Sequence, residues 1–249
     1  MPPPQRGRNW TRKGSHDWKR FDSLVPVRAE ERLGLVFVTQ DGSAGIDGAL
    51  GGLDRLLADD HRLFATNQQE LDVNWKILLE GFIEGYHIKS THPQSFLPYG
   101  FDNLNVIDIF GPNSRVTYPF QRIRKLEKIA PDKRRIDGLL TYVYHLFPNV
   151  LVTVLSCHTN LVVLEPLTVD RTRQHIYVMS NGGGDDPEAL AEAKRDAAFV
   201  GTTGREEDQA VVKSIQRGLG SGANSDLVFG HFESAIVHFH KTLKAALGP

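Results

Sequence analysis

From Phe64 to Leu167 the chain reads as a succession of short strands, and after Pro187 it turns helical. This order limits the fold more than any other feature. The segments "LFATNQQELDV", "NVIDIFG", "SRVTYPFQRI", "LTYVYHLFPNVLVTVLS" and "TNLVVLEPL" are rich in β-branched and aromatic residues and are bounded by turn residues. One helix interrupts them, starting near Asn74, and a further strand, "RQHIYVMS", ends in the turn "NGGGDD". Pro187 then opens a long helical segment, in which a Thr-Thr-Gly stretch at 202–204 predicts a break into two helices. The last helix, "FESAIVHFHKTLKAAL", places Phe232, Ala235, Ile236, Phe239, Leu243 and Leu247 at helical spacing. Strands in a run followed by helices in a run define an α+β class, an antiparallel sheet with helices on one side.

Upstream, residues 1–23 are basic and polar, while "LVPVRAEERLGLVFVTQDG" reads as two strands ending at Asp41-Gly42. At 249 residues the chain can bury a sizeable core and reads as one large domain with a small extra piece. Its 29 Lys and Arg balance 30 Asp and Glu, so charge makes no case for nucleic acid or an anionic membrane as a partner. No leader-like apolar run opens the chain, and "VLVTVLSCHTNLVVL" is interrupted by Ser156, His158, Thr159 and Asn160. The expectation is a soluble, cytoplasmic protein. Cys157 is the only cysteine, which excludes an internal disulfide and any [2Fe-2S] cluster held wholly by this chain, since even the histidine-containing type needs two thiolates.

The stretch "NWKILLEGFIEGYHIKSTHP" concentrates the chemistry. Apolar residues at 75, 78, 79, 82, 83 and 86 form one stripe of a helix turning about 100° per residue. Glu80, Glu84 and His87, spaced four and three apart, then project from one face. His92 follows five residues later, and Ser90, Thr91 and Pro93 predict that the helix loosens there and lets His92 swing back toward His87. By spacing alone the stretch is either a solvated helix face or most of a metal site. It is not a His-Glu-x-x-His zinc motif.

The same stretch resembles the iron-binding helix of the Rieske-type ring-hydroxylating oxygenases, with their Asn-Trp-Lys, an acidic residue three before the first histidine, and His-x4-His-Pro. The resemblance continues through "YHLFPNVLV", "VVLEPLTVDRTR", "EEDQAVVKSIQRGLGS" and "FESAIVHFHKTL", covering about residues 24–247. It implies a helix-grip (Bet v1/START-like) fold, in which the antiparallel sheet wraps a long C-terminal helix. It also implies a mononuclear Fe(II) held by His87, His92 and Asp208, a donor set that suits ferrous iron and leaves positions open for dioxygen. The residues themselves leave the choice among Glu206, Glu207 and Asp208 open, because an acidic triplet at a helix start also reads as favourable charge at the positive end of the dipole. Glu84 matches the family carboxylate between the iron and a neighbouring subunit's cluster, with a second role in holding His87 in one tautomer. Glu80 matches a polar position near the iron. His145, His158, His238 and His240 show no partner pattern.

The family's Cys-x-His and Cys-x-x-His cluster motifs are absent from the chain. The expected division is therefore residues 1–50 as a tail and remnant strands of a truncated Rieske domain, and 51–249 as the catalytic domain. The implied activity is dioxygen-dependent hydroxylation, dihydroxylation or demethylation of a small aromatic or apolar substrate. Electrons would come from an external ferredoxin or Rieske-bearing subunit and its reductase, within a trimer. Two other classes stand beside it. One is a metal-free helix-grip module that binds hydrophobic ligands, and the other is a zinc hydrolase with Glu84 as general base.

Overall fold

The computed structural model describes residues 27–39, 50–224 and 226–248 of the chain. The expectations for the N-terminal tail and for the Asp41-Gly42 turn fall outside those residues. β1 (Arg28–Arg32) and β2 (Leu35–Thr39) form a separate antiparallel hairpin. Its two-residue turn, Leu33-Gly34, has positive φ at both positions, the geometry that matches the twist of a hairpin. A Cβ on Gly34 would lie 2.5 Å from the Leu57 carbonyl oxygen, so only glycine fits where the hairpin docks.

Seven strands make the main sheet: β3 (Arg62–Leu71), β4 (Val106–Phe110), β5 (Asn113–Pro119), β6 (Leu140–Leu146), β7 (Val150–Val154), β8 (His158–Thr168) and β9 (Arg171–Ser180). Their spatial order is β3-β9-β8-β7-β6-β5-β4, and every pairing is antiparallel. The sheet meets the α+β expectation. It differs from the sequence reading after Pro119, where Gln121–Lys128 winds into a 3-10 helix instead of extending β5.

One sheet face carries Val116, Val143, Leu151 and Val162. It packs against α1 (Trp75–Phe82), α4 (Gln209–Gly220) and α5 (Ser234–Leu247) through Leu79, Ile83, Val212, Ile236 and Phe239. Phe239 is fully buried, edge-on to Trp75 at 5.6 Å. The opposite face, with Tyr144, Leu146 and Val152, is covered by Leu53 and Leu56. Asn74 ties the helices to the sheet. Its side chain caps α1 by accepting from Lys76 N at 3.0 Å and donates to the Val169 carbonyl between β8 and β9. Its backbone N–H donates to Gln216 of α4 at 2.8 Å.

Two helix expectations are corrected. The single helix expected from Asn74 to His87 stops at Phe82, and a short second helix, α2 (His87–Thr91), begins after Gly85. Gly81 and Gly85 weaken a continuous helix by about 1 kcal/mol each. Glu84 then competes for the backbone, accepting from the N–H groups of both Tyr86 and His87. The division into two helices expected at 202–204 is present, but it is a π-helical turn and not a break in the helical path. α3 (Pro187–Thr203) runs into α4 through one π-helical turn, Gly204–Asp208, with Gly204 in ordinary helical conformation. The acidic triplet therefore opens no helix and lies within the turn, where one extra residue re-aims the side chains. Among the described residues no helix is long and apolar enough to cross a membrane.

Candidate metal centre

Three elements deliver the site. His87 opens α2, and His92 leaves it as the C-terminal cap, its N–H bonded to Ile88 O while its φ and ψ depart from helix. The expected loosening before Pro93 thus occurs, and it turns His92 toward His87, ring centroids 5.1 Å apart. Asp208, the last residue of the π turn, comes from the other side. One donor atom each from His87, His92 and Asp208 lies within 4.8 Å of the others. Asp208 Oδ1 is 2.8 Å from His92 Nε2 and 3.8 Å from His87 Nε2.

The two outer nitrogens are held by carboxylates. His87 Nδ1 bonds Glu84 Oε1, and His92 Nδ1 lies 2.6 Å from Glu207 Oε2, which also accepts from the Ser95 hydroxyl at 2.6 Å. A carboxylate on Nδ1 places the proton there and leaves Nε2 as a lone pair, the arrangement that orients histidine ligands for a metal. His92 is fully buried, and its Nε2 has no partner in hydrogen-bond geometry even though Asp208 touches it. A buried imidazole nitrogen beside a second imidazole and a carboxylate is a donor set that suits a cation. Burial acts to lower the His92 pKa, but the Asp208 and Glu207 carboxylates outweigh it and raise it. The Ser95 hydroxyl and then His92 hold Glu207 below the usual carboxylate range. These residues fit a ferrous ion, which takes mixed nitrogen and oxygen donors: two imidazoles and one carboxylate.

The remaining sequence candidates separate. Glu84 sits against His87, as anticipated, although from a loop and not from a helix face. Glu80 is paired elsewhere: its carboxylate contacts His240 Nε2 of α5 at 2.9 Å, and no hydrogen bond or ion pair joins it to the three convergent residues. The break after Phe82 is the reason, because it rotates Glu84 and His87 off the face that carries Glu80. Glu207, which the residues alone left open beside Asp208 as the acidic ligand, is here the partner of His92 Nδ1. Ser95 went unnoticed, and nothing in the local pattern marks it. His158 and His240, read as partnerless, pair with Asp196 at 2.8 Å and with Glu80.

Fold and donor set together describe a two-histidine, one-carboxylate group that could hold a metal ion, built on an antiparallel sheet. Comparison with known proteins gives the family. The profile of the ring hydroxylating alpha subunit (catalytic domain) matches residues 58–248, and the chain belongs to that family. The carnitine monooxygenase oxygenase subunit of Escherichia coli K12 is 27% identical over 249 aligned positions, covering 90% of this chain and 63% of that protein. The chain thus spans less than two thirds of the length of that relative. Among solved structures, a quaternary ammonium Rieske monooxygenase superposes with a TM-score of 0.71 at 20% identity, covering 92% of this chain and 63% of the other. The naphthalene 1,2-dioxygenase of a Rhodococcus species superposes with a TM-score of 0.64 at 15% identity, covering 87% and 65%.

Proposed function

We propose that this chain is the oxygenase component of a multicomponent system, with residues 51–249 as its catalytic domain in a helix-grip arrangement. His87, His92 and Asp208 hold the iron. The observation that carries this reading is the convergence of two Nε2 lone pairs and Asp208 while both Nδ1 atoms are occupied by carboxylates. Ferrous iron bound there supplies the activation of dioxygen for insertion of oxygen into an organic substrate. The chain's own groups do the rest. Glu84 and Glu207 fix the two imidazoles in the tautomer that presents Nε2. The helices that cover the sheet face exclude water from it. Glu84 also bonds the backbone of exposed Tyr86, so it links His87 to the surface where an external iron–sulfur partner would deliver electrons. The named relatives act on a quaternary ammonium compound and on naphthalene, so a quaternary ammonium and an aromatic hydrocarbon are the substrate classes to assay first. A metal-free ligand-binding module would leave the convergent donors unexplained.

The test is the iron content of protein reconstituted anaerobically with ferrous iron, in wild type and in His87→Ala, His92→Ala and Asp208→Ala. We expect one iron per chain, lost in each variant while circular dichroism stays native. A folded wild type without specifically bound iron overturns the proposal.

A further inference from the structure

The sheet face beneath the helices is not uniformly apolar. Across the register, Ser114 pairs with His145, His145 with Leu151 and Leu151 with Val162; in the next row Val116 pairs with Val143 and Val143 with Thr153. Directly paired residues of an antiparallel sheet share a face, so Ser114, His145 and Thr153 stand in the same layer as the core valines and leucines. All three are more than nine-tenths buried. Each has a polar atom without a hydrogen-bond partner: Ser114 Oγ, His145 Nδ1 and Thr153 Oγ1. From the helix side, α5 contributes His238, whose Nε2 is likewise buried and unpartnered. Native interiors pair nearly all such atoms, so orphans gathered on one face mark the place of a polar occupant.

One bond specifies what that occupant must offer. His145 Nε2 lies 3.0 Å from the Pro148 carbonyl oxygen, which can only accept, so the proton is on Nε2 and Nδ1 presents a lone pair. Burial keeps the ring neutral, and His238 is near enough to oppose its protonation further. His238 adjoins Phe239, whose ring packs edge-on to His145 at 5.3 Å. A group that satisfies the cluster must donate to His145 and can accept from His238 or Ser114. A hydroxyl does both, a carboxylate cannot donate, and a methyl group leaves every atom unpaired.

We propose that His145, His238 and Ser114 form a subsite that recognises a hydroxyl group of the substrate and so determines specificity. The inference rests on the oxygenase reading, which supplies the substrate whose hydroxyl group this cluster would meet.

The probes are phenol and toluene, which match in size and differ by hydroxyl against methyl. They are titrated calorimetrically into metal-free protein, so that phenol has no iron to coordinate. An apolar pocket without a partner favours toluene, and only hydrogen bonding reverses that order. We expect wild type to bind phenol at least roughly tenfold more tightly, and His145→Leu and His238→Leu to bind toluene at least as well as phenol. His145→Leu also loses the bond to Pro148, so His238→Leu, which keeps it, decides the matter if the first variant does not fold. Failure of wild type to bind either probe, equal affinities, or a preference retained in His238→Leu overturns the subsite. Iron binding by the same preparations is measured separately. Iron without the phenol preference overturns the subsite alone, and the preference without iron supports the subsite while overturning the oxygenase reading.

Discussion

Replacing Glu207 by glutamine leaves the shape of the side chain and removes its charge. In the structure one oxygen, Oε2, serves both His92 Nδ1 and Ser95 Oγ, each at 2.6 Å. Glutamine can still accept at that point, but it no longer attracts the Nδ1 proton or raises the basicity of Nε2. Carboxylates that orient ligand histidines are worth about 10–100-fold in metal affinity. We expect Glu207→Gln to weaken ferrous iron binding about tenfold, the lower end, because the acceptor survives. Glu207→Ala leaves the N–H of a fully buried imidazole unsatisfied, and the expected loss is about a hundredfold. Glu206→Gln, which changes the neighbouring charge without touching His92, serves as the control and should leave affinity unchanged. The assay is an anaerobic titration against a competing chelator, with circular dichroism to verify folding. Equal affinity in all three variants would refute the role of Glu207. Abolished binding in Glu207→Gln, with retention in Asp208→Asn, would show instead that Glu207 and not Asp208 is the third donor.

Two further outcomes follow from buried titratable groups. Burial, eased slightly by the Pro148 carbonyl, lowers the His145 pKa from 6.5 to about 4. The unfolded chain therefore takes up a proton that the native chain refuses as pH falls from 6.5 to 4, which removes about 3 kcal/mol of stability over that window. His145→Leu lacks this slope, so urea denaturation should show wild type losing stability relative to the variant across the window, and a constant difference would contradict the burial argument. The Cys157 thiol is pushed up to about 11, by burial first and then by the Glu192 and Asp196 carboxylates. Iodoacetamide at pH 8 should alkylate the native chain about a hundredfold more slowly than the denatured chain, and equal rates measured by mass spectrometry would count against it.

Several elements were legible because their causes are local. The strands follow from β-branched and aromatic runs between turn residues, and α1 from Asn74 and the apolar stripe after it. Pro93 and the residues before it foretold that His92 would leave its helix. The helix break at Ile83–Tyr86 was missed because Glu84 satisfies the N–H groups of the next helix, an interaction that competes with periodicity and has no period of its own. The π turn was misread as a break for a related reason: Thr-Thr-Gly has weak helix propensity, and the packing of α3 and α4 on the sheet overrides it.

The sequence by itself determined the donor types: two histidines five residues apart before a proline, and an acidic triplet far downstream. It could not say which acid meets which histidine, since 115 residues separate His92 from Glu207 and an extra residue in one helical turn rotates neighbouring side chains onto different faces. Only the tertiary structure set Asp208 against both Nε2 atoms and Glu207 behind His92. It alone revealed the unpartnered nitrogens of His145 and His238. Whether a polar atom is paired depends on what the rest of the chain brings to it, and that is a property of packing, which no local pattern encodes.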